Sequence, residues 1–355
     1  MAYTTINKSS VLHNGLLYTG NGATGRALTG VGFQPDLVWI KNRNATTPHV
    51  LQDSVRGVTK TINPNDGTGD DTISNGLTAF GSDGFTIGGN GSFNQNGEDF
   101  VSWNWKAGTT GSGTTTGSGT GTSYSYSVNT TAGFSIIKYV GNGTAGHTIP
   151  HHLGAVPEWI WVKDLDATIN WQMYHVKMGN QYTTETNINN APFSSNSRWN
   201  NTTPSSTVIT LGDGNNTNNN GTNYIMYAWA PKTGYSHFDK YTGNGSSNGT
   251  FVYTGFKTAF LWVKRVGTAD NNYLKDNKRS GTSHQNGFNP NEVQHPSVNN
   301  NNAENKASAF GIDLLSNGFK IRGNDAGINA NGNDYLFMAF GQTLVGTNNV
   351  PATAR

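Results

Sequence analysis

The sequence predicts an all-β protein of three tandem β-sandwich modules, jelly-roll or lectin-like, with a Gly/Ser/Thr-rich linker after the first. Three observations carry this. One phrase is written three times: Pro35-Asp36-Leu37-Val38-Trp39-Ile40-Lys41, Pro157-Glu158-Trp159-Ile160-Trp161-Val162-Lys163 and Thr258-Ala259-Phe260-Leu261-Trp262-Val263-Lys264. Each copy follows a Tyr-x-Gly-Asn-Gly turn. Glycine is abundant (46 of 355 residues) beside nine tryptophans, so short strands joined by Gly/Asn turns can still bury large rings.

The elements follow in order. Residues 1–15 form an N-terminal arm, read either as an edge strand or frayed end or as a segment that docks on a partner. Repeat one spans 16–108. It opens at Leu17-Tyr18-Thr19-Gly20-Asn21-Gly22, whose glycines tolerate positive φ. Pro35 suits a strand start because it cannot donate to a ladder. A strand is expected from His49 to Arg56, then a polar surface loop over 63–75. Ser82-Asp83-Gly84-Phe85-Thr86-Ile87 reads as turn and strand, and Asn94-Gln95-Asn96-Gly97 as a second turn. Phe100-Val101-Ser102-Trp103-Asn104-Trp105 alternates with period two.

Residues 109–125 hold nothing larger and apolar until Tyr124, which reads as a flexible linker. Repeat two (126–234) and repeat three (235–346) use the same grammar, and 347–355 is a polar tail. Repeat three carries an Asn-rich excursion from Ser280 to Asn305. Units of this length are whole domains; solenoid and propeller repeats run to roughly 20–50 residues. The Trp phrases and closing strands are expected to fill the space between the sheets of each sandwich.

Composition narrows function. With no cysteine, disulfides, thiolate metal sites and cysteine nucleophiles are excluded. A net charge of +2 gives no footprint for nucleic acid. No apolar run is long enough to span a membrane, and the first ten residues do not read as a signal peptide. Carboxylates stand out at Asp36, Glu158, Asp53, Asp276 and Glu98-Asp99, but the repeats share no pair of the kind glycoside hydrolysis needs. The chain therefore reads as a non-enzyme without a cofactor. His147, His151 and His152 read as incidental loop histidines, because adjacent strand residues face opposite ways and a metal needs convergent ligands. Asp66, Asp70 and Asp71 make a loose acidic loop without the order of a calcium loop.

The candidate binding residues are Lys41, Lys163 and Lys264, which recur at one repeat position with Arg43 and Arg265 nearby and suggest an anion site. Their alternative is a strand-exit lysine whose stem covers a ring. Asn289, Asn291 and His295 are chosen from the Asn-rich excursion, since loops on rigid β-scaffolds carry recognition. Trp39, Trp161 and Trp262 invite a sugar-stacking reading but lie inside apolar runs and are expected in the core.

Several stretches resemble a family of tailed-phage virion proteins common in marine phages. They are Met1-Ala2-Tyr3-Thr4-Thr5-Ile6-Asn7-Lys8-Ser9, Tyr18-Thr19-Gly20-Asn21-Gly22, 30–41, 53–60 and Val350-Pro351-Ala352-Thr353-Ala354-Arg355. The resemblance implies lectin-like sandwich modules on a virion surface, tail-fibre-like, and offers no catalytic residues. It implies assembly in the host cytoplasm with other virion proteins, a host surface glycan as partner, and a homo-oligomer, with a trimer favoured. A head decoration or cement protein is the alternative; a polysaccharide depolymerase ranks below both.

Overall fold

Each Trp phrase is a central strand of a large antiparallel sheet. In this computed structural model, which describes residues 4–279 and 294–342, the phrase strands are Leu37–Asn42, Trp159–Asp164 and Thr258–Arg265. The closing strand of each repeat (Asp99–Trp105, Asn223–Trp229, Asp334–Gly341) lies between the phrase strand and the repeat's opening strand. Trp39 stands opposite Trp103, Trp161 opposite Tyr227 and Trp262 opposite Met338. A fourth strand follows on the far edge: Val50–Asp53, Gln172–His175 and Asn272–Asp276. The described residues are almost entirely β. Helix is confined to single turns such as Gly91–Asn94, Asn215–Asn218 and Ala326–Asn329.

Period-two alternation gives each phrase strand two different jobs. Val38 and Ile40 face a small sheet of their own repeat and pack with Leu28, Phe85 and Ile87. Ile160 and Val162, and Leu261 and Val263, do the same in repeats two and three. The tryptophans face the other way. Trp39, Trp161 and Trp262 meet one another, with ring centroids 5.5, 5.6 and 5.1 Å apart. All nine tryptophans are buried, and only Trp199 lies outside this shared central cluster. The expectation that the phrase tryptophans fill an inter-sheet space is therefore corrected. They fill the space between repeats, because the outer face of each large sheet is apolar and only the other two sheets can cover it.

Polar contacts close this packing into a ring. Repeat one meets two through Tyr227 Oη, which donates to Asp53 at 2.7 Å. Repeat two meets three at His175 Nε2, 3.5 Å from the Phe337 carbonyl. Repeat three meets one through Trp103 Nε1, which donates to Asp276 at 2.8 Å. Asp53, His175 and Asp276 occupy one register position, opposite Leu37, Trp159 and Phe260.

The segment read as a flexible linker is in fact paired. Thr109–Thr114 forms a strand against Ser123–Asn129 and extends repeat two's large sheet. Thr116–Gly117 pairs with His147–Pro150 on the small sheet. Its glycines provide clearance here. Gly111 stands opposite Tyr126 and Gly113 opposite Tyr124, where a Cβ would lie 2.6 and 2.9 Å from the ring hydroxyls. The described part of the N-terminal arm is also built in. Ile6 and Leu12 enter the central cluster and the first strand starts at His13, not at 16. The loop over 63–75 is a strap on repeat two: Asn63 O accepts from Trp171 Nε1 at 3.0 Å, and Asp70 N donates to Leu165 O at 2.7 Å.

The Tyr-x-Gly-Asn-Gly turns dock on a buried asparagine. Asn94, Asn218 and Asn329 each accept, at 2.9 Å, from the backbone N–H of Asn21, Asn142 or Asn244. The first glycine of each turn (Gly20, Gly141, Gly243) runs so close to the following strand entry that a Cβ would lie 2.0, 2.3 or 2.5 Å from a carbonyl oxygen.

Candidate functional site

The three recurring lysines leave the central strands on the same face as the tryptophans, two residues on. Each is buried at a junction between repeats. Lys41 Nζ donates to Asn42 O at 2.7 Å and reaches Asn301 O of repeat three at 3.4 Å. Lys163 Nζ donates to Asp164 O at 2.6 Å, with Asp66 of repeat one in its field. Lys264 Nζ donates to Asn190 O of repeat two at 3.0 Å. Burial lowers all three ammonium groups to about 8. Backbone carbonyls accept from all three ammonium groups, and the nearby guanidiniums are neutralised: Arg43 by Glu304 at 2.6 Å, Arg265 by Asp270 at 3.3 Å. The anion-site expectation is thus replaced by a structural role, in which each lysine ties its strand exit to the neighbouring loop.

Asn289 and Asn291 lie outside the described residues. His295 is buried, against Phe310 (centroids 4.2 Å) and Tyr273 (5.4 Å), on the wall of a groove of about 670 Å³ that Asn300, Asn302 and Glu304 also line. The other candidates do not converge. His147 binds Asn218 and Thr115, His151 faces Ser205 O, and His152 pairs with Tyr124. Asp70 is held by Arg56 at 2.8 Å. Asp36 accepts from Ser54 Oγ and Ala107 N, both part of its own fold. Among the described residues, no group of three or more metal-ligating side chains gathers.

Sequence reasoning missed two repeated sets. Asn65, Asn187 and Asn299 accept from the backbone N–H of His49, Trp171 and Asn272, at 2.7, 2.9 and 2.9 Å. Those three residues in turn reach backwards round the ring to Ser297 O, Asn63 O and Thr186 O, each at 3.0 Å. The 16-residue offset shared by His49–Asn65 and Trp171–Asn187 was the available signal, masked by the many other asparagines and lost in repeat three, where the offset is 27.

The junction of repeats three and one lacks one core side chain that the others have. Between repeats three and one lies a cavity of about 210 Å³, lined by His13, Gly15, Trp103, Asp276 and Lys278. Gly15 stands opposite Trp103; the matching residues are Ile136, opposite Tyr227, and Phe238, opposite Met338. Both of those fill the central cluster, so the cavity exists because Gly15 has no side chain. His13 is buried among Trp105, Phe260 and Phe340, and neither ring nitrogen has a hydrogen-bond partner among the described residues. Burial lowers its imidazole to about 3, so it is neutral at physiological pH.

These observations define an all-β chain whose three repeats share one aromatic core. The chain belongs to the family described as a domain of unknown function, DUF7483, which it matches over residues 8–343. No curated protein and no solved structure matches it. The family unit therefore spans all three repeats, as the shared core does. No helix among the described residues is long and apolar enough to cross a membrane.

Proposed function

We propose that this protein is a structural component of a virion surface, tail-fibre- or spike-like, built of three β-sandwich modules and facing a receptor or host glycan. The observation that carries the reading is the ring itself. Three antiparallel β units are fused through a buried aromatic core, and their small sheets and loops are left to face outwards. The residue resemblance to virion proteins supports the location, and the dispersal of the candidate carboxylates and histidines supports a non-enzymatic role. The motive for a homotrimer weakens, because the apolar face that a trimer would bury is already buried within one chain.

One observation favours a second reading, a head decoration protein. Three repeats closed into a ring would suit a three-fold site on a shell. Immunogold labelling of intact particles tests both. Label on the tail or its fibres supports the first reading, label over the capsid supports the second, and no label on purified particles overturns both. A polysaccharide-cleavage assay with the full chain is expected to show no product; cleavage would overturn the non-enzymatic role.

A further inference from the structure

The outward face of repeat three's small sheet is built unlike its two counterparts. Phe251–Tyr253 is the edge strand, paired with Gly318–Ile321, which pairs in turn with Ile312–Leu315. Val252 points into the repeat's core, so Phe251 and Tyr253 point out, and they are 44% and 59% exposed. Lys320 stands opposite Phe251, and Asp313 opposite Lys320. Arg322 Nε donates to Asp313 at 2.6 Å. Gly318, opposite Tyr253, leaves that ring uncovered on one side.

The matching positions elsewhere are small. Repeat one has Ala27, Thr29, Thr86, Ala79 and Gly88; repeat two has Thr148, Pro150, Thr210 and Gly212. Three repeats with one scaffold thus differ in charge and aromaticity at the same outward positions. A folding role does not explain that difference, since two copies fold without those groups. Repeat two's edge is further covered by Thr116–Gly117, whereas among the described residues no strand pairs on the outer side of Phe251–Tyr253.

We infer that this face is a sugar-binding platform whose ligand is an oligosaccharide carrying an acidic sugar. The C–H faces of pyranose rings stack on Phe251 and Tyr253, which supply flat apolar area at low entropic cost. The Arg322–Asp313 pair offers fixed donors and acceptors for ring hydroxyls. Lys320, which has no ion-pair partner among the described residues, holds the sugar carboxylate. Two rings bounded by charges make a patch far smaller than the roughly 800 Å² per partner of a stable protein interface, which argues against a protein occupant. This site rests on, and sharpens, the glycan-facing part of the proposed function.

The test is a printed array of neutral and uronate-containing bacterial polysaccharide fragments, probed with the full chain. Wild type is expected to bind uronate-containing members and to lose signal as salt rises. F251A/Y253A should lose binding at least tenfold with an unchanged Tm, K320A should lose the preference for acidic members, and F251W should retain binding. Absence of any hit, survival of binding in F251A/Y253A, or binding confined to neutral sugars would overturn the assignment. So would a variant that turns a sedimenting dimer into a monomer without affecting sugar. A failed array with positive particle labelling rejects this site alone; absent labelling rejects the virion reading alone.

Discussion

Replacing Trp39 by alanine probes the meeting point of the three repeats. The ring sits with its centroid 5.5 Å from Trp161, 5.6 Å from Trp262 and 5.5 Å from Trp103, and its Nε1 donates to His49 Nδ1 at 3.0 Å. Truncating a fully buried tryptophan costs about 3–5 kcal/mol in lost transfer energy and cavity formation. His49 loses its donor as well, while its other nitrogen stays on Ser297 O of repeat three. Unfolding entropy of about 2 cal/mol/K per residue, over a chain of this length, turns that loss into a Tm drop of about 4–7 °C. Differential scanning calorimetry reads both the size and the cooperativity. The whole transition should shift as one, because Trp39 packs against the tryptophans of both other repeats. The reasoning is refuted by a loss below about 1 kcal/mol, or by a split trace in which only a part melts early.

Further expectations follow from the junctions. His13 is held down to about 3, as is His175, whereas an unfolded imidazole takes its proton near 6.5. The unfolded state therefore binds more protons between those values, and stability falls as pH drops from about 6.5 towards 4. His13→Phe, copying Phe134 in repeat two, should remove roughly 2–3 kcal/mol of that loss at pH 4.5; Tm measured from pH 7 to 4.5 checks it, and an unchanged slope contradicts it. Gly15→Ala should stabilise by about 0.5–1 kcal/mol, since its Cβ would meet only the movable Lys278 stem at 3.2 Å and Ser102 O at 3.7 Å; urea denaturation reads the sign. The buried lysines act with the same sign in a higher pH window. Lowered to about 8 against 10.5 unfolded, they make stability rise between pH 8 and 10, and Lys→Met at 41, 163 and 264 should flatten that rise in a Tm series.

Much of the fold was legible because it depends on short-range pattern. Alternation in the phrase and closing strands, the Gly-Asn-Gly turns and the triplication all mark strands that the structure contains. What the pattern could not say is which partner each face meets. Trp39 and Val38 are both apolar, and nothing local distinguishes a face buried against its own small sheet from one buried against two other repeats. Composition misled at 109–117, where glycine signals flexibility until Tyr124 and Tyr126 are placed opposite it. The lysines misled for a related reason. A recurring charge looks functional until the carbonyls that receive it, on other loops, are in view. The outward aromatic pair at Phe251 and Tyr253 became visible only when register aligned it with Ala27, Thr29, Thr148 and Pro150.

Hydrogen exchange on the native chain tests most directly whether the three repeats are one unit. The amides of Leu37–Asn42, Trp159–Asp164 and Thr258–Arg265 should open with a single common free energy, and Trp39→Ala should lower it equally in all three strands. Three separate opening energies, with the substitution felt only in Leu37–Asn42, would contradict the shared core.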